Sequence, residues 1–106
     1  MPTFGNIIGE ARKKKGLSQK DLAARILKEG GDPISPQYLN DIEHDRRNPP
    51  SEFLIQRFAA ELDLSKDYLC LAAGSLPAQE MRRIASAKPE EVTAAFKVFR
   101  KKISGG

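Results

Sequence analysis

Apolar side chains in this sequence recur at intervals of three and four, the period of a helix with one buried face. Phe4, Ile7, Ile8 and Ala11 form the first such stripe, which stops at Gly16, a residue suited to the left-handed position after a helix. Ser18 reads as the N-cap of a second helix, and Asp21, three residues on, approximates a capping box. That helix carries Leu22, Ala23, Ile26 and Leu27 and breaks at Gly30-Gly31. Ser35-Pro36, an N-cap followed by a first-turn proline, opens a third helix through Leu39 and Ile42 to about His44. Beyond the polar loop of residues 45–50, Ser51 caps a fourth helix lined by Leu54, Ile55, Phe58, Ala59 and Leu62. Ser65 caps a fifth, with Leu69 and Ala72 before Gly74. After the break at Ser75-Leu76-Pro77, residues 78–87 read as a weak helix and 89–103 as a stronger one, opened by Pro89, Glu90 and Glu91. No run alternates apolar and polar residues between turn signals, so the expected fold class is all-α. Five short helices occupy residues 1–76, and residues 77–106 form a helical extension.

Composition narrows the functional classes. At 106 residues, with 40% hydrophobic and 30% charged residues, the chain can fold, but around a small core. No stretch approaches the ~18 apolar residues of a membrane span, and the first residues carry neither a basic leader nor an apolar run. A single cysteine, Cys70, excludes an intramolecular disulfide, so a cytoplasmic location is expected. The formal net charge of +4 hints at nucleic acid but is mild. It is also spread evenly: nine Lys/Arg against seven Asp/Glu in residues 1–50, and the same again in 51–106. The Arg12–Lys15 cluster falls where a helix C-terminus favours cations.

Order, rather than charge, carries the functional signal. Residues 17–50 place two capped helices in tandem, the first with the small Ala23 facing its partner, as a helix-turn-helix requires. The motifs Leu17-Ser18-Gln19, Leu22-Ala23, Tyr38-Leu39, Ile42-Glu43 and Asn48-Pro49 stand in the order of the Cro/repressor-type (lambda-repressor-like, Xre) helix-turn-helix family. The chain resembles that family over roughly residues 5–74. The resemblance implies a five-helix DNA-binding domain in a transcriptional regulator, with double-stranded DNA as its partner. One departure stands out. Ala23 and Leu39 are sixteen residues apart, six more than in the family pattern. The extra residues are expected to lengthen the second helix by a turn, through Arg25–Glu29, and to enlarge the following loop.

On the third helix, Leu39 and Ile42 define the buried direction and leave Gln37, Asn40, Asp41 and His44 opposite. Taken alone, that face fits either a solvated helix surface or a surface that reads base edges. The resemblance favours the second. Gln37 then suits adenine, Asp41 can accept from cytosine N4, Asn40 joins them, and Pro36 offers apolar contact to a thymine methyl. For phosphates, the resemblance assigns Gln19 at the start of the second helix; Tyr38 and the loop residues Arg46, Arg47 and Asn48 are the next candidates, the arginines because they sit just past the third helix, and Lys20 is a weaker one. It also implies an ion pair between Arg12 and Glu43 that fixes the third helix to the first.

The resemblance ends after Gly74. On helix 89–103, Val92, Phe96, Phe99 and Ile103 fall on one stripe, which either folds back on the first five helices or forms a two-fold dimer seam. The seam is the preferred reading, because it brings two recognition helices about 34 Å apart for a palindromic operator. A different class of function is also open: an antitoxin-like module that neutralises a toxin partner through residues 78–103. Enzymatic chemistry has no support in the sequence. Neither His44 nor Cys70 has a catalytic or metal-binding companion at useful spacing, and no cofactor is expected.

Overall fold

The computed structural model describes residues 1–105. Its helices are α1 (Phe4–Lys14), α2 (Gln19–Arg25), α3 (Pro36–Glu43), α4 (Glu52–Leu62), α5 (Lys66–Ala72), α6 (Ala78–Ser86) and α7 (Pro89–Ser104). The protein is all-α, and an isolated bridge between Leu27 and Pro33 is the β-type pairing found among the described residues. No described helix is long and apolar enough to cross a membrane. The chain forms two compact units, Met1–Leu76 and Pro77–Gly106.

In the first unit, each helix begins on a hydroxyl. Thr3, Ser18, Ser35, Ser51 and Ser65 each accept the backbone N–H three residues on, satisfying one of the donors that a helix start leaves open. Asp21 returns the favour to the Ser18 N–H at 3.2 Å, completing a capping box. The buried stripes meet in one cluster of Phe4, Ile8, Leu22, Ala23, Ile26, Ile34, Leu39, Ile42, Ile55, Phe58, Ala59, Leu62, Leu69 and Cys70. Phe4 meets Phe58 edge-on, with centroids 6.4 Å apart. Each large apolar residue buried here contributes about 1.5–3 kcal/mol. Because α3 packs on both α1 and α2, its orientation is set by the core.

The six extra residues do not lengthen α2. The helix stops at Arg25, and Ile26 turns extended (φ −96°, ψ 101°). Ile34 N–H then bonds the Ile26 carbonyl at 2.9 Å, and Lys28 N–H bonds the Asp32 carbonyl at 2.8 Å. A turn closes the tip, where Gly31 (φ +96°) donates to the Lys28 carbonyl at 2.8 Å. The segment is a small hairpin. Its physical cause is the competition for the core: extending the chain buries both Ile26 and Ile34, whereas Leu27, which helical spacing placed on the apolar stripe, is 40% exposed.

In the second unit, Pro89 opens α7 and the Glu91 carboxylate accepts the Lys88 N–H at 2.8 Å. Phe96 and Phe99 pack edge-on at 6.3 Å. Neither α6 nor α7 contains a buried residue.

Candidate nucleic-acid interface

The third helix is built to show one face and hide the other. Ser35 Oγ accepts Tyr38 N–H at 3.0 Å, and Pro36 fills a first-turn position where no N–H is needed. Leu39 and Ile42 point into the core, leaving Pro36 and Gln37 exposed at the start of the helix. One turn on, Gln37 Nε2 donates to Asp41 Oδ1 at 3.1 Å. Two cations approach the same carboxylate from the loop after α3. Arg46 Nη1 lies 3.8 Å from Oδ1 and Arg47 Nε 3.4 Å from Oδ2. The Arg47 guanidinium also sits over the Tyr38 ring, 5.2 Å from its centroid. Four of the residues expected to touch DNA (Gln37, Asp41, Arg46 and Arg47) thus form one connected cluster, with Tyr38 beneath it.

Gln19 and Asn40 form a second group, set deeper. Gln19 Nε2 donates to both Asn40 Oδ1 and Glu43 Oε1, each at 3.1 Å, so its amide nitrogen faces α3. Lys20 is exposed on α2. Asn48 is exposed after α3 and lines a hollow with Thr3, Asp45 and Arg47. The hairpin stem joins this surface, since Lys28, Pro33, Ser35, Tyr38 and Arg47 share one groove.

Behind the exposed face, α3 is bolted to α1. Arg12 Nε and Nη2 bond the two oxygens of Glu43 at 2.7 and 2.9 Å, and Arg12 Nη1 bonds the Leu17 carbonyl at 2.8 Å. The two side chains are only 11% and 7% exposed. The hydrogen bond to Glu43 is the main reason that the Arg12 proton is held even more tightly than usual, with burial opposing and the Glu43 charge assisting.

Three residues important to this geometry escaped the sequence reading. A Cβ on Gly5 would come within 2.3 Å of the Ile42 carbonyl oxygen, and one on Gly9 within 3.3 Å of Glu43 Oε1. Two glycines four apart on a helix therefore clear the path for the end of α3. Their spacing was the available signal. Asp45, in the left-handed region at φ +55°, accepts Gly5 N–H at 3.0 Å and the Thr3 hydroxyl at 2.6 Å. No local pattern announces that contact, which spans forty residues.

Comparison with known proteins places this geometry. The family model described as Helix-turn-helix matches residues 8–69. No curated protein sequence matches the chain. Among solved structures, the chain is similar to SinR, the master regulator for biofilm formation, in complex with DNA. That match has 31% identity and a TM-score of 0.53 over 63% of this chain and 97% of that one. It is also similar in fold to a chain of the SinR–SinI protein complex, at 21% identity and a TM-score of 0.54, over 96% of this chain and 99% of that one. The chain belongs to the lambda-repressor-like helix-turn-helix family of DNA-binding transcriptional regulators.

Proposed function

We propose that this regulator is a repressor that binds a palindromic operator as a homodimer. In this reading Pro36, Gln37, Asn40 and Asp41 face base edges, while Lys20, Tyr38, Arg46, Arg47 and Asn48 approach phosphates; Gln19 joins them from the start of α2 only where its amide releases Asn40 and Glu43. The observation that carries the reading is the α3 surface: an exposed polar first turn, flanked by Arg46 and Arg47, on a helix whose other side is held by Arg12–Glu43 and the core. The DNA-bound SinR structure supports it by likeness. Selection of bound sequences from random duplex DNA tests it. A two-fold symmetric motif is expected; failure to enrich any motif at moderate salt overturns the reading.

The homodimer rests on α7. Phe96, Phe99 and Ile103 are 44%, 48% and 73% exposed and, with Val92, lie along one stripe of the helix. A second copy of the same stripe is the simplest cover, through a two-fold seam. The same exposure favours one competing occupant, a different protein bound through residues 78–103. Gel filtration of the whole chain and of a chain ending at Gly74 separates these. A dimer that becomes a monomer on truncation supports the seam, and a truncated chain that stays dimeric refutes it.

A further inference from the structure

We infer that Asp41 sets the selectivity of the DNA-facing surface by acting as an internal stand-in for phosphate. This rests on the reading of α3 as the recognition helix. In the free protein the Asp41 carboxylate is approached by three side chains: Gln37 at 3.1 Å, Arg47 at 3.4 Å and Arg46 at 3.8 Å. The Asp41 carbonyl also accepts the Arg46 N–H at 2.9 Å, so the first residue after the left-handed turn at Asp45 is tied to the same position. The Asp41 side chain is 18% exposed, against 60% and 56% for the two arginines. The arginines stand mainly in solvent, whereas the carboxylate is mostly covered, in part by the arginines themselves.

Docking on a duplex therefore becomes an exchange. Each guanidinium gains a phosphate and gives up Asp41, which leaves a partly covered carboxylate beside a polyanion. Only Gln37 is left to it, and a partly covered carboxylate that loses both its cations is costly. In the major groove only the amino groups of cytosine (N4) and adenine (N6) can supply a new donor, whereas guanine N7 and O6 and thymine O4 present acceptors to a carboxylate. The arginine–phosphate contacts, which alone carry no sequence information, become conditional on the base that faces Asp41. Mixed-sequence DNA is penalised, and a site with cytosine or adenine at that position is not.

The exchange leaves a mark in salt dependence. Each phosphate neutralised releases close to one counterion, and a carboxylate that loses its arginines takes a cation back up.

The test compares the full-length wild type with Asp41→Ala and Asp41→Asn. Each binds a mixed-sequence duplex and the duplex enriched by selection with the wild type. Both variants are expected to bind mixed-sequence DNA about two- to fivefold more tightly, the range that one or two exposed ion pairs supply. Asp41→Ala should steepen the salt slope by about one and lose about fivefold or more in base preference at a single position of each half-site. Asp41→Asn keeps an oxygen acceptor and should retain part of that preference. A cycle with Arg47→Ala adds a readout that loss of folding does not imitate: removing Arg47 should cost more affinity when Asp41 is already alanine. Unchanged or weaker mixed-sequence binding in both variants, with base preference intact, overturns the role of Asp41. A wild type that enriches no sequence overturns the recognition-helix reading itself, and this inference with it.

Discussion

Arg12 grips Glu43 side-on, with two parallel bonds of 2.7 and 2.9 Å, and spends its remaining arm on the Leu17 carbonyl. Only a planar guanidinium fills all three contacts, so lysine is not an equivalent here.

Arg12→Ala should therefore destabilise the fold, toward the lower end of the about 3–5 kcal/mol seen when one member of a buried pair is removed. Arg12→Lys should recover only part of the loss. Raising of the Arg12 pKa keeps the pair fully formed below the ordinary arginine range, so the effect should be the same at neutral and mildly alkaline pH. Chemical denaturation at both pH values checks this. An unchanged melting temperature in Arg12→Ala would sink the structural role of the pair.

Gly5→Ala should reverse the usual rule for helices. In an open helix alanine is better than glycine by about 1 kcal/mol. Here the new methyl would lie 2.3 Å from the Ile42 carbonyl oxygen, a backbone atom, so a net loss of about 1–3 kcal/mol is expected from overpacking. Gly9→Ala, which meets the Glu43 carboxylate at 3.3 Å, should cost less. Thermal melts of the two variants settle the order.

Asp21 gives α2 a pH-dependent start. The Ser18 N–H bond, foremost, and the Ser18 hydroxyl hold its carboxyl below the usual carboxylate range. A lowered folded pKa means that the contribution is present at neutral pH and disappears as pH falls through that folded value. Asp21→Ala should accordingly melt below the wild type at neutral pH. The gap should close in strong acid, and a gap independent of pH would contradict the assignment.

Shortening the hairpin between Leu27 and Pro33 to a tighter turn should leave the fold standing. Residues 28–32 are exposed, and doubling a loop's length changes closure entropy by only about 0.6 kcal/mol. Removing Ile26 or Ile34 should not be tolerated in the same way, because both are in the core. A melt of the shortened chain within about 1 kcal/mol of the wild type is the expected result.

Much of this architecture was legible because its punctuation is local. The serines at 18, 35, 51 and 65 and the stripes they introduce determine where α2 to α5 begin, each within one helical turn. Tandem spacing plus family resemblance then named Arg12, Gln19, Gln37 and Glu43. What stayed hidden depends on distant partners. Helical periodicity fits Ile26-Leu27 equally well, and only the presence of Ile34 across the core makes the chain extend there instead. The same holds for Asp45: its side chain caps α1 from the far end of α3, and nothing within a few residues of either reveals the contact. Nor does the sequence disclose that Asp41 already has partners in the free protein.

The helices α6 and α7 contain no buried side chain, and that bears on how the protein behaves in a cell. Ordering a helix costs backbone and side-chain entropy at every residue, and short helices do not recover it without tertiary burial. With the seam proposed above, the missing burial comes from another molecule, so the share of chains with a fully formed C-terminal segment rises with abundance by mass action. Operator occupancy would then rise more steeply than in proportion to protein made. If that seam forms, the segment would let the regulator gauge its own supply.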